Sequence, residues 1–240
     1  MSSDPTIDIL CLAAHPDDAE LHVGGTLIKM REAGHSIGIL DFSRGEAATH
    51  GTVADRERET AAANAIIRPD LRLNLGLPDS GLADDLATRK LVVDIIRRHR
   101  VGLLIAPWAP CRHPDHQAVH DVARSAHFFS GAGGFPSDYP PHRPKRLMFH
   151  LEEHDARPSF VVDISAQFDA RMQAVSCYAT QFYTPGGAAK TTDVGSRRFD
   201  HKMRARFAHY GGIVGVDYGE AFIIDAPPRI DDPLTNALQG

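Results

Sequence analysis

Apolar and polar positions along the chain alternate between two rhythms. Residues 7–14 form a nearly continuous apolar run, the pattern of a strand buried on both faces. Residues 24–33 then space Leu27, Ile28 and Met30 at helical intervals, with Gly34 where a C-terminal cap belongs. Residues 36–42 read as a second strand. After a polar loop, Thr52 and Asp55 have the spacing of a capping box that opens an Ala-rich helix to Ile67. Strands at 71–75 and 101–107 and helices at 86–98 and 116–130 continue the series. This βαβαβαβα order predicts an α/β fold with a mostly parallel sheet and helices on both faces.

Residues 131–144 are rich in Gly, Pro and Ser and read as a long loop, not a boundary. Beyond it, strands are expected at 147–151, 160–164 and 221–224, and helices at 165–182 and 196–210. With no internal repeat, the simplest organisation is one Rossmann-like domain over residues 1–240 with a C-terminal elaboration.

Composition narrows the function classes. The 240 residues are 42% hydrophobic and 24% charged, which suits a globular chain with a sizeable core. A net charge of -5 argues against general binding to nucleic acid or an anionic membrane. Cys11, Cys111 and Cys177 are few, odd in number and far apart, which excludes a disulfide scaffold or a Cys-rich zinc module. The acidic start Met-Ser-Ser-Asp-Pro and the lack of a long apolar run lead us to expect a cytoplasmic protein. The 14 histidines are the one oddity.

Their placement carries the chemistry. In open α/β sheets, ligands bind beyond the carboxyl ends of strands. The first strand runs into Ala14-His15-Pro16-Asp17-Asp18-Ala19-Glu20, and the fourth leads to His113-Pro114-Asp115-His116. A catalytic zinc takes three protein ligands plus water, and neutral imidazole and ionised carboxylate suit it. His15 and Asp18, three apart in a Pro-containing turn, can converge on one ion, with His116 as the third ligand. Asp17 is then free to act as a base, although on chemical grounds either adjacent Asp could bind the ion. His113 and Asp115 remain as a supporting or acid–base pair. Each motif alone is also an ordinary loop with an Asx-turn; it is the pairing after two parallel strands that points to a site.

The paired motifs resemble the N-acetylglucosaminyl deacetylase family of PIG-L and LmbE-like proteins. The likeness extends through Arg44-Gly45-Glu46, Gly51-Thr52, Arg56, Leu77-Pro78-Asp79, Phe160-Val161-Val162-Asp163-Ile164-Ser165, and Tyr178 with Gln181-Phe182. Length and C-terminal half look most like the bacillithiol-biosynthesis branch, which deacetylates N-acetylglucosaminyl-malate. The resemblance implies one Zn2+ per chain on His15, Asp18 and His116, and Asp17 as general base. It implies His113 near the oxyanion, oriented by Asp115, and Arg56 in the substrate pocket. As an imidazolium, favoured by a hydrogen bond to Asp115, His113 would stabilise the oxyanion or protonate the leaving amine, and spacing leaves open whether it or Asp17 does the latter. It also implies a small-molecule N-acetylglucosamine conjugate as partner, and a homo-oligomer. An anionic aglycone such as malate would want a cation, and Arg44, Arg56 and Arg112 fall near strand ends; Arg44 reads as a surface residue.

Some features depart from that pattern or compete with it. His22 stands where the family often has a small residue, and reads as a packing or surface group. His120 shares a helical face with His116, so a His-x-x-x-His zinc pair competes with the first ligand set. The segment Asp225-Ala226-Pro227-Pro228 differs from the bacillithiol branch. Gly24-Gly25 reads as a helix entry without a dinucleotide fingerprint, Arg97-Arg98-His99-Arg100 as a solvated helix end, and Cys111 as a bystander. Two other functions remain in competition: a metal-dependent phosphoester hydrolase, which would want two metals and more carboxylates, and a non-catalytic small-molecule binding module, for which Asp17 would have no use.

Overall fold

The computed structural model describes residues 4–152, 156–187 and 190–229. Its sheet has seven strands in the order β3-β2-β1-β4-β5-β7-β6. These are β1 (Ile9–Ala13), β2 (Ile37–Asp41), β3 (Leu71–Asn74), β4 (Leu103–Pro107), β5 (Arg146–His150), β6 (Phe160–Asp163) and β7 (Gly219–Ile223). The first five are parallel in the 3-2-1-4-5 order of a Rossmann-like sheet. The elaboration is antiparallel: β7 runs against β5, and β6 against β7.

The helices are α1 (Asp18–Glu32), α2 (Val53–Ile67), α3 (Leu86–Arg98), α4 (Pro114–Ser130), α5 (Phe168–Ser176) and α6 (Arg197–Ile213). Helices α1, α2 and α5 pack together on one face, and α3 with α4 on the other. Each face buries its own apolar cluster, Leu10, Leu12, Val92 and Val119 on the α3–α4 side and Cys11, Val23, Leu27 and Ile39 on the α1 side. Neighbouring residues of β1 thus go to opposite cores, which is why its sequence is apolar without alternation. The capping box of α2 is present in both directions, with Thr52 Oγ1 accepting from the Asp55 amide and Asp55 accepting from the Thr52 amide.

Three local expectations need correction. Helix α1 starts at Asp18 and not at residue 24, because Asp17 is its N-cap and its carbonyl already accepts from the Leu21 amide at 2.9 Å. Gly24 and Gly25 are therefore inside the helix. A Cβ on Gly25 would sit 2.8 Å from the Ile164 side chain, so glycine there allows close packing. The helix expected over 165–182 ends at Ser176, and the following turn delivers Tyr178, Gln181 and Phe182 to the α1–α2 side. Arg97 is not a solvated helix end but 3% exposed. Its guanidinium donates to the carbonyls of Phe129, Ser130, Ala132, Phe135 and Tyr139, and so pins the loop after α4. His99 is buried as well, whereas Arg98 and Arg100 are exposed as expected.

No helix of the described residues is long and apolar enough to cross a membrane. The close approach at Gly25 gives a stability test. Gly25→Ala should destabilise the protein by about 1–3 kcal/mol, the usual cost of overpacking, despite alanine's better helix propensity. Urea denaturation would check this, and a more stable variant would contradict the packing described.

Candidate active site

Strands β1 and β4 are neighbours, paired at Ile9–Leu103, Leu10–Leu104 and Cys11–Ile105. The chain leaves β1 towards α1 on one face and β4 towards α4 on the other, so a crevice opens between the two loops. Into it project the two His-Pro-Asp motifs, nearly 100 residues apart in sequence. Asp18 comes from the first turn of α1. His113 is the N-cap of α4 with Pro114 at the first helical position, which puts Asp115 and His116 in that helix's first turn.

At the centre is one carboxylate oxygen. Asp18 Oδ2 lies 3.4 Å from His15 Nδ1 and 3.3 Å from His116 Nε2. A tetrahedral ion with ligands at 2.0–2.1 Å requires ligand atoms about 3.3 Å apart, so Asp18 stands at that corner-to-corner spacing from each histidine. Donor atoms of all three residues lie within 4.8 Å of one another. The residues present therefore fit a divalent metal ion.

Behind each imidazole stands a carboxylate. His15 Nε2 is 3.0 Å from Asp79 Oδ1, and His116 Nδ1 is 2.7 Å from Glu152 Oε1. Such pairs hold the proton on the outer nitrogen and leave the inner lone pair for a metal. Burial works against a charge on His15, but hydrogen bonds to Asp18 and Asp79 outweigh it and raise its pKa to about 10. Burial likewise opposes, and the charges of Asp18 and Glu152 overcome, so that His116 stands well above the usual histidine value. Asp18 is held well below the carboxylate range in spite of burial, by His116 and His15. The His15 hydrogen bond depresses Asp79 to about 2. An entering cation would compete with protons on both histidines, so its affinity falls as the pH falls.

Asp79 and Glu152 carry no role in the sequence motifs. Asp79 sits inside a stretch known only by likeness, and Glu152 follows β5 with no motif around it. Both lie beyond the carboxyl ends of parallel strands, and that rule alone would have nominated them.

Asp17 has φ 152°, ψ -22°, a strained backbone for a residue with a side chain, costing on the order of 1–3 kcal/mol. Its carboxylate pairs with Arg56 Nη1 at 3.2 Å, and the same nitrogen donates to the Pro16 carbonyl at 2.8 Å. Burial raises the Asp17 pKa to about 7, against Arg56, which lowers it, and with Asp18, which adds to the rise. Arg56 is in the pocket as expected, but this guanidinium nitrogen is engaged with the Asp17 turn.

The expected Asp115–His113 carboxylate bond is not formed. Because α4 begins at Pro114, the Asp115 carboxylate turns to the amides of Ser80 (2.8 Å) and Leu82 (3.2 Å) and fastens the loop that carries Asp79. His113 Nδ1 instead accepts from the Asp115 amide at 3.3 Å. Burial and the nearby charges of His116 and His15 lower the His113 pKa. Its neutral form therefore carries the proton on Nε2, and the imidazolium expected from the sequence is disfavoured.

His120 does not join the cluster. Its Nδ1 donates to the Pro107 carbonyl at 3.0 Å and its ring packs on Trp108 and Phe149, so the helical His pair is not assembled. His22 is buried, stacked on His150 at 4.9 Å, with Nε2 3.8 Å from Glu152. His22, His116 and Glu152 form a second group of potential ligands, yet Arg206 Nη2 lies 3.4 Å from His22 Nδ1, an unfavourable neighbour for a cation. Cys111 donates to Glu152 at 3.0 Å. Arg44 is exposed and outside the cavity. Arg112 is on the cavity wall, and so is Lys202 of α6.

The cavity is about 440 Å³, and two parts of the chain build it. The histidines and most of the carboxylates come from the first 116 residues and Glu152, and an apolar wall comes from Phe182, Val194, Phe199 and Met203, with Asp193 beside it. A family model described as "PIG-L: GlcNAc-PI de-N-acetylase" matches residues 10–127, the stretch that holds both motifs. The diacetylchitobiose deacetylase of Thermococcus kodakarensis is 27% identical over 189 residues, covering 72% of this chain and 70% of that protein. The 1D-myo-inositol 2-acetamido-2-deoxy-alpha-D-glucopyranoside deacetylase of Rhodococcus jostii is 25% identical over 239 residues, covering 72% and 81%. Among solved structures, the conserved protein TT1542 of Thermus thermophilus superposes with a TM-score of 0.86 at 38% identity, covering 94% of this chain and 97% of that one. Motif, fold and relatives agree in supporting the PIG-L/LmbE-like deacetylase family for this chain.

Proposed function

We propose that this chain is a zinc-dependent amide hydrolase that removes acetate from an N-acetylglucosamine conjugate, with N-acetylglucosaminyl-malate of bacillithiol biosynthesis as its substrate. The observation that carries the reading is the division of labour between two adjacent carboxylates. Asp18 is shared by two histidines at metal-ligand spacing, while Asp17 is paired with Arg56 and has a pKa of about 7. A site that only bound a ligand would need no such second carboxylate. Both deacetylase relatives bear names that denote acetylated amino sugars, which supports the substrate class.

When bound at His15, Asp18 and His116, zinc would lower the pKa of water towards about 7 and polarise the amide carbonyl. The protein's own groups account for the proton movements. Asp17, ionised near neutrality, takes a proton from the attacking water as its oxygen bonds to the acetamide carbon. The negative charge that develops on the carbonyl oxygen is met by the His113 Nε2–H, a neutral donor at a helix N-terminus. Asp17 then returns its proton to the nitrogen as the C–N bond breaks, giving acetate and the free amine. His113 is the weaker candidate for that last step because its Nδ1 is already an acceptor of the helix amide. A two-metal phosphoester mechanism is disfavoured by the position of Arg206 against the second ligand group.

Metal content tests the ligand set. His116→Ala should abolish the single zinc per chain, while His120→Ala should retain most of it. Elemental analysis giving the reverse would restore the helical pair.

Asp17 has a distinct signature. Asp17→Asn should keep zinc but lose about 10²- to 10⁴-fold in kcat, measured by acetate release. In the parent, kcat/KM should rise with pH as the raised Asp17 pKa is passed, since only the ionised form can accept a proton. Arg56 lowers that pKa, so Arg56→Ala should move the rising limb to higher pH. An unmoved limb would mean that Asp17 does not titrate there.

Selectivity for the aglycone is a separate matter. Arg112→Ala should raise KM for N-acetylglucosaminyl-malate about tenfold, the worth of one charged hydrogen bond, and leave free N-acetylglucosamine nearly unchanged. Equal losses on both substrates would remove Arg112 from that role.

A further inference from the structure

Beside the candidate metal site lie two buried guanidiniums, and only one of them has a clear structural purpose. Arg171 of α5 is 0% exposed, lies 3.6 Å from the Glu220 carboxylate and donates to the Leu21 carbonyl. Glu220 in turn accepts from the amides of Gly25 (2.9 Å) and Thr26 (2.7 Å). Strand β7 and helix α5 thus grip the middle of α1, and Arg171 serves that grip.

Arg206 of α6 is 7% exposed and shares the ring of Phe207 with Arg171, at 4.7 and 3.8 Å from its centroid. Burial and the charge of this second guanidinium help bring the Arg171 pKa down to about 9, in spite of Glu220. Two buried like charges side by side are costly, so the second must do what the first does not. Arg206 Nη1 donates to the Glu152 carbonyl at 2.6 Å, while Nη2 lies 3.4 Å from both the Leu21 carbonyl and His22 Nδ1. One rigid fork therefore joins the segment after β5 to the first two turns of α1.

Both ends of that fork lead to the metal ligands. Glu152 accepts from His116 Nδ1, fixing the proton there and turning Nε2 towards Asp18. Asp18 opens the helical segment whose Leu21 amide donates to the Asp17 carbonyl. We propose that Arg206 is a positioning residue of the metal centre. It sets the distance between α1 and Glu152, and through Glu152 it aims His116 at the ion that Asp18 shares. The inference rests on the ligand set given above. It also assigns a role to the part of the chain outside residues 10–127.

The test uses Co2+ as the probe, with affinity from chelator competition and site geometry from the visible absorption of the bound ion. Arg206→Met, which keeps an unbranched apolar stem, should weaken Co2+ about 10- to 100-fold and change the spectrum. Arg206→Lys should recover part of the affinity, because an ammonium can serve one of the acceptors. Glu152→Gln should give a loss of similar size. Combining it with Arg206→Met should add little, because the two act on His116 in series. A folded Arg206→Met protein with parental affinity and spectrum overturns the proposal, and so do fully additive losses. If the Met variant does not fold, Arg206→Lys decides: parental affinity and spectrum in that variant also overturn it. Failure of the underlying ligand set looks different, because His15→Ala or Asp18→Asn would then leave the Co2+ affinity at the parental value.

Discussion

One oxygen atom organises this protein. Asp18 Oδ2 stands within 3.4 Å of nitrogens from two histidines that reach it from different loops. That contact is possible only because β1 and β4 are adjacent parallel strands whose connections diverge to opposite faces. Everything nearby serves to tolerate the charge collected there. Asp79 and Glu152 back the two imidazoles, Arg56 balances Asp17, and the Asp115 carboxylate holds the loop that delivers Asp79. Partly satisfied, such a buried polar network would be destabilising; with its members paired, it holds the side chains in one arrangement.

Much of this was legible in the sequence because the signal was local. The capping box of α2, the strand–loop–helix alternation and the two His-Pro-Asp motifs each lie within a few residues, and α/β topology then puts strand ends side by side. What was not legible depends on distant partners. The role of Glu152 is set by a hydrogen bond across 36 residues of sequence, and that of Glu220 by amides nearly 200 residues earlier. Arg97 looks like a solvated charge until the loop after α4 folds over it with five carbonyls. Asp115 departs from expectation for a smaller reason: starting α4 two residues earlier turns its carboxylate away from His113 and replaces an expected imidazolium with a neutral donor.

The two halves of the chain divide the work. The stretch matched by the family model brings most of the histidines and carboxylates that line the cavity, and they sit on strand ends and first helical turns. The later segments add the apolar wall around Phe199 and Met203, the cation Lys202 at the cavity, and the buried guanidiniums that hold α1 in place. Polar groups placed on the strand ends of the parallel sheet and a cavity wall added by later segments can change separately. A fold with this arrangement can keep one reaction while its substrates vary.

Where the metal binds decides the rest. Anomalous diffraction at the zinc edge from crystals of the zinc-loaded protein would locate the ion directly. The ligand set described here predicts one strong peak about 2.0–2.1 Å from His15 Nδ1, Asp18 Oδ2 and His116 Nε2, with Asp17 outside the coordination sphere. A peak bonded to Asp17 in place of Asp18, or one between His22 and Glu152, would contradict it.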